Sequence, residues 1–210
     1  MDFDTAASSW DEDEQRARRA RAIAEEIRSR LGDRTHHRAL DFGAGTGALS
    51  LLLADRFDEI LLVDTSAGML AEAAAKITAA GPNLAARIRP LAIDLTGDDP
   101  TGWPEPGSVD VVYTSMALHH VTDVADLLRT FQALLVPGGL LFVADLAADG
   151  AGGYHAHEES FAGHHGFGRA DIEAALTGSG FAPASVGTVF VMHREGNDYP
   201  VFLAVARRVP

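Results

Sequence analysis

Cysteine is absent from the 210-residue chain. That removes disulfides, thiolate metal ligands and cysteine nucleophiles together, and it is consistent with a reducing compartment. Positive charge is scarce: 17 Lys and Arg stand against 30 Asp and Glu, a formal net charge of -13. Proteins that live on phosphate contacts carry clustered positive charge, so nucleic acid is not the expected partner, and neither is an anionic membrane surface. No uncharged apolar run reaches the ~18 residues of a bilayer-spanning helix. Asp2 and Asp4 open the chain and no basic residue precedes Arg16, the wrong charge for a secretory signal. A cytoplasmic protein with neither nucleic-acid nor membrane partners is expected. What is present is ordinary globular composition, 47% apolar and 22% charged, with length for one domain that buries roughly 70% of its unfolded surface.

Residues 1–32 read as an N-terminal segment and helix. Ser9 followed by Glu12 fits a capping box, and Asp11 to Glu14 crowd the first turn, where the helix dipole favours acids. Ala20, Ile23, Ala24, Ile27 and Leu31 recur at helical spacing before Gly32. From position 38 short apolar runs alternate with helical stretches. Strands are predicted near 38–42, 59–64, 87–93, 109–115 and 139–145, and helices near 46–57, 66–80, 122–136 and 169–179. Runs such as Ile60-Leu61-Leu62-Val63 suit strands covered on both faces. Strand–helix alternation predicts an α/β, doubly wound, Rossmann-like and mostly parallel sheet. Strands at 184–192 and 200–207, joined by a loop over 194–198, predict a closing antiparallel hairpin and seven strands in all. The chain thus divides into 38–145, the irregular stretch 146–168, and 169–210 as the C-terminal helix and hairpin.

The first strand runs into Asp41-Phe42-Gly43-Ala44-Gly45-Thr46-Gly47-Ala48. Gly43, Gly45 and Ala48 satisfy a dinucleotide fingerprint, and glycines at a strand-to-helix turn let the backbone approach a ligand closely. Asp64 ends the second strand, where a carboxylate can accept both hydroxyls of an adenosine ribose. Asp94 ends the third, near the place of an adenine amino group.

This series resembles the class I S-adenosylmethionine-dependent methyltransferases of the small-molecule type. The resemblance rests on the loop Gly43-Ala44-Gly45-Thr46-Gly47, on Val63-Asp64-Thr65-Ser66-Ala67-Gly68-Met69-Leu70, on Ile93-Asp94-Leu95, on Ser115 to Val121 after the fourth strand, and on Pro137-Gly138-Gly139 before the fifth. It covers about 38–207, implies S-adenosylmethionine as cofactor, and would make 38–145 the cofactor-binding half and 146–168 a substrate-side insertion. Asp41 and the glycine loop would then face the methionine end, and Asp64 and Thr65 the ribose. Met69 would lie on the adenine, Asp94 and Leu95 at its amino group, and Ser115 near the methionine moiety. The competing functions are a non-catalytic module that holds the same cofactor, and an NAD(P)-dependent oxidoreductase. The latter is disfavoured by Asp94 and by the absence of any Tyr-x-x-x-Lys.

The acceptor is expected to be a small molecule. A hydroxyl acceptor needs a base, and histidine suits neutral pH. His119 and His120 follow the fourth strand, at the edge where open α/β sheets bind ligands. His155, His157, His164 and His165 cluster after the fifth. That cluster admits substrate contacts or proton acceptance, a metal site completed by Glu158 or Glu159, or a solvated loop. The first is preferred and no resident metal is expected. Phe161, with His164-His165-Gly166-Phe167, resembles the substrate side of small-molecule methyltransferases. Phe3 and Trp10 resemble the lid of such enzymes, which would serve the exclusion of water.

Overall fold

The structure is a computed structural model that describes residues 2–97, 99–148, 154, 161 and 163–209. The elements follow in chain order. Helix α1 (Phe3–Ala6) leads through a 3-10 segment, Ala7–Glu12, into α2 (Glu14–Leu31), and then come β1 (His36–Phe42), α3 (Ala48–Leu53) and β2 (Phe57–Asp64). After them stand α4 (Ala67–Ala79), the single turn α5 (Pro82–Ala85), β3 (Ile88–Ala92), β4 (Val109–Ser115), α6 (Val124–Leu134) and β5 (Leu135–Leu146). Helix α7 (Arg169–Gly178), β6 (Phe181–Arg194) and β7 (Asn197–Arg208) close the chain.

The seven strands form one sheet in the order β3-β2-β1-β4-β5-β7-β6. The first five run parallel and β7 and β6 are antiparallel, the doubly wound architecture that the alternation implies. Successive strand residues serve opposite faces. Ala39, Val111, Tyr113 and Phe142 join a core with α2, α3 and α4, whereas Leu40, Val112, Leu141 and Val143 join a second core with α6 and α7. Burial on both sides explains the unbroken apolar runs.

Several boundaries differ from expectation. The long helix is capped by Asp13, whose carboxylate accepts from the Gln15 and Arg16 amides, and not by Ser9. The residues from Phe3 to Glu12 are engaged elsewhere, as described below. The helix predicted over 46–57 is confined to Ala48–Leu53, because Gly47 caps it in the left-handed region at φ 73° and Phe57 is already paired with His36. The third strand stops at Ala92, so Asp94 stands two residues beyond its end. The hairpin strands reach each other at Arg194 and Asn197. Their turn is therefore Glu195-Gly196, both at positive φ (53° and 79°) as a tight two-residue turn demands, and not a loop over 194–198. Among the described residues no helix is long and apolar enough to cross a membrane.

Candidate functional site

One cavity of about 590 Å³ lies outside the carboxyl ends of β1, β2 and β4, the place where open parallel sheets bind ligands. Its floor is the turn after β1. Gly43 has φ 63°, and a Cβ there would collide with that of Ala117. Gly45 has φ 54° and faces open space, with Met69 Sδ at 4.0 Å from where its Cβ would stand. The turn closes on itself through Gly47 N donating to Ala44 O at 2.9 Å, and is tied to β2 through Ala44 N donating to Val63 O at 3.1 Å. Gly47 packs against Leu62 and does not line the cavity. At the exit of β4 another lining residue, Met116, is held at φ 59°, the kind of backbone strain that gathers at sites.

Two carboxylates of opposite character flank this turn. Asp64 keeps both oxygens on backbone donors, Oδ2 accepting from Gly45 N at 2.7 Å and Oδ1 from Ser66 N at 2.8 Å. It thereby joins the glycine turn to the start of α4 while half-exposed to the cavity. Asp41 is buried. Ser50 Oγ donates to its Oδ2 at 2.7 Å, and Ser50 also shares a 2.6 Å hydrogen bond with the Tyr113 hydroxyl. Burial pushes the Asp41 carboxyl up to about 8 against the opposing Ser50 hydrogen bond, with the Asp64 charge adding to the rise. Tyr113, fully buried beside it, is pushed well above its ordinary value by the same desolvation.

Ala44, Thr65, Met69, Asp94 and Ser115 also line the cavity. Asp94 is exposed and accepts from Thr96 N at 2.8 Å and Thr96 Oγ1 at 2.6 Å. Leu95 is buried in the second core and is not among the cavity-lining residues.

The N-terminal segment is strapped across the mouth. Asp4 Oδ1 accepts from Ser66 Oγ at 2.6 Å and Gly68 N at 2.8 Å. Asp11 accepts from Thr46 Oγ1 at 2.8 Å and pairs with Lys76, which itself donates to Thr46 O. These ties bring Phe3 and Trp10 onto the cavity with their rings edge to face at 5.8 Å. Phe3 meets the His120 ring at 5.4 Å. Arg16 lies 3.9 Å over the Trp10 ring and donates to the Trp10 carbonyl at 3.0 Å.

The histidines part company. His120 lines the cavity. His119, adjacent in sequence, is turned inward by the 3-10 turn Leu118–His120 and is buried. Its Nδ1 lies 2.6 Å from Asp145 Oδ1, and Asp145 also accepts from the backbone amides of His119 at 3.2 Å and Leu146 at 2.7 Å. The two imidazoles are 4.1 Å apart, centre to centre. His164 N donates to His119 O at 2.7 Å and its ring rests on Phe167. Phe161 stands 5.5 Å from both His120 and the exposed His165. Phe161, His164 and His165 thus back the His119–His120 pair without lining the cavity, a correction to the expectation that the whole cluster faces it. His155, His157, Glu158 and Glu159 lie outside the described residues. Among the described residues no three His, Asp or Glu side chains converge as a metal site.

Ser50, Tyr113, Asp145, Asp11 and Arg19 belong to this site and escape sequence reasoning. Asp145 stands one residue before the end of an apolar strand, much as Asp64 ends its own, the one local signal of the five.

A family model described as a methyltransferase domain matches residues 40–141. The chain is 32% identical over 160 residues to an uncharacterised methyltransferase of Schizosaccharomyces pombe, covering 72% of this chain and 50% of that one. It is 30% identical over 115 residues to a trans-aconitate 2-methyltransferase of Mycobacterium ulcerans, covering 55% and 39%. The chain therefore spans about half the length, or less, of these curated relatives. Among solved structures it is similar to an S-adenosylmethionine-dependent methyltransferase of Mesorhizobium loti, with a TM-score of 0.69, 25% identity, and coverage of 89% of this chain and 98% of that one.

Proposed function

We propose that the chain is a class I S-adenosylmethionine-dependent methyltransferase that transfers a methyl group to a small-molecule acceptor, a reading supported by the methyltransferase-domain match over 40–141 and by the likeness to the Mesorhizobium loti enzyme. The observation that carries the proposal is a single continuous cavity. It holds the carboxylates of Asp64 and Asp94 toward one end, the glycine turn and Asp41 on its floor, and Phe3, Trp10 and His120 around the rest of its lining. Its volume, about 590 Å³, falls in the range that encloses small ligands. The donor set fits the cofactor. Asp64 offers charged acceptors to vicinal hydroxyls, Met69 an apolar surface to a flat ring, and the glycine turn a floor without side chains.

S-adenosylmethionine, when bound, supplies an electrophilic methyl carbon. The residues of this chain then have to align a nucleophile and keep water away. Phe3 and Trp10 cover the mouth. His120 is the proton acceptor for an acidic nucleophile, and His119, fixed by Asp145, is a positioning residue beneath it. An acceptor small enough to share the cavity agrees with the net charge of -13, which opposes a nucleic-acid substrate.

Incubating the protein with S-adenosylmethionine and a metabolite extract freed of macromolecules should release S-adenosylhomocysteine. Turnover only with the macromolecular fraction would overturn the small-molecule reading. Binding of S-adenosylhomocysteine without turnover in either fraction would make the chain a cofactor-holding module.

A further inference from the structure

Arg19 lines the cavity from helix α2. Arg28 pairs with Asp55, Arg38 with Glu59, Arg129 with Asp126 and Arg169 with Glu173. Arg16, one turn before Arg19, is spent on Asp13 and Trp10. Arg19 forms no ion pair among the described residues. The other arginines without an ion pair among the described residues are exposed, as are Arg18, Arg21, Arg34 and Arg87, or donate to backbone carbonyls, as do Arg207 and Arg208. Arg19 Nη1 donates to a thioether, Met192 Sδ, at 2.9 Å, a weak acceptor. Its pKa is held below the ordinary arginine value, burial being the principal cause, while Asp13, Asp145 and the Tyr154 hydroxyl act on it from a distance. Withdrawing a cation from water without a partner is costly, and the planar fork of a guanidinium matches a carboxylate.

Position decides which carboxylate. Asp64 and Asp94 stand by β2 and β3. Arg19 touches β6 at Met192 and feels Asp145 of β5, which lie beyond β4 on the other side of β1 in the sheet. It therefore belongs to the half of the cavity away from the adenosine-binding acids.

We propose that Arg19 is the receptor for a carboxylate on the methyl acceptor, which makes the acceptor a small organic acid. The proposal rests on the methyltransferase reading for the word acceptor, but the carboxylate site is tested separately. Acetate is the probe, with acetamide as its uncharged match. Titrated into protein saturated with S-adenosylhomocysteine, acetate should shift the Arg19 Nε–Hε NMR resonance saturably and acetamide should not. Acetate affinity should fall about tenfold or more in R19Q, in proportion to the loss of a charge-assisted pair, and recover partly in R19K. S-adenosylhomocysteine affinity should stay within about twofold of wild type in both.

Two results overturn the proposal. In one, acetate moves Arg19 in neither the free nor the saturated protein. In the other, acetate acts only on the free protein, and R19Q weakens S-adenosylhomocysteine but not 5′-methylthioadenosine, which lacks the amino-acid carboxylate. Arg19 would then serve the cofactor. Failure of the wild type to bind S-adenosylhomocysteine at all would count against the methyltransferase reading, and acetate titration of the free protein would still decide the site.

Discussion

Replacing Asp41 by asparagine should stabilise the protein at pH 8 and leave it nearly unchanged near pH 4. The carboxyl is buried, and Ser50 and, through it, Tyr113 share its only hydrogen-bonded chain among the described residues. Its folded pKa is raised from 3.8 to about 8, so between those limits the native state holds a proton that the unfolded state has released. Stability then falls as pH rises. The contribution of this group is fully present below about pH 4 and lost by about pH 8. Each pH unit of displacement corresponds to about 1.4 kcal/mol. The cavity beside Asp41 admits solvent, so an effective loss on the order of 2–4 kcal/mol at pH 8 is reasonable. Asparagine keeps an acceptor for Ser50 and never ionises. Urea unfolding of wild type and D41N from pH 4.5 to 8.5 measures the difference directly. A constant gap across that range, or D41N less stable at pH 8 than at pH 4.5 relative to wild type, would refute the reasoning.

Asp64→Ala should weaken S-adenosylhomocysteine binding by about 2–4 kcal/mol, because charged acceptors for two hydroxyls are lost along with the tie to Gly45 and Ser66. Calorimetry showing unchanged affinity would put the ribose elsewhere. Deleting residues 1–12 should leave the sheet folded, since β1 begins at His36, but should speed dissociation of S-adenosylhomocysteine in stopped-flow measurements; unchanged dissociation would reduce Phe3 and Trp10 to surface packing. Asp145→Asn should cost about 2–4 kcal/mol of unfolding free energy, since a buried carboxylate serving His119 and two backbone amides gives way to a group with one acceptor. A loss below about 0.5 kcal/mol would show that His119 is held by other contacts.

The parts of the fold and site that were legible in the sequence are those whose partners are local. Runs such as Ile60 to Val63 announce buried strands, and glycines at a strand end followed by Asp64 announce a ligand turn within a few tens of residues. The chain of Asp41, Ser50 and Tyr113 has no such signature. Asp41 and Tyr113 become neighbours because β1 pairs with β4 in that register, a fact of topology and not of spacing. His119 and His120 are identical in type and adjacent, so only the 3-10 turn and a carboxylate 26 residues away separate a buried ring from a cavity-lining one. Ser9 and Asp13 are both good helix caps. Asp13 prevails once Asp4 and Asp11 draw the preceding residues onto the glycine turn and α4. Arg19 sits in an arginine-rich stretch where no local pattern distinguishes a cavity-facing cation from a solvated one.

Titration calorimetry with S-adenosylhomocysteine, with NAD as the matched dinucleotide, tests the central assignment most directly. The cavity as described predicts one site per chain for S-adenosylhomocysteine and NAD binding about a hundredfold weaker or worse. No saturable heat with S-adenosylhomocysteine, or NAD binding of comparable strength, would contradict it.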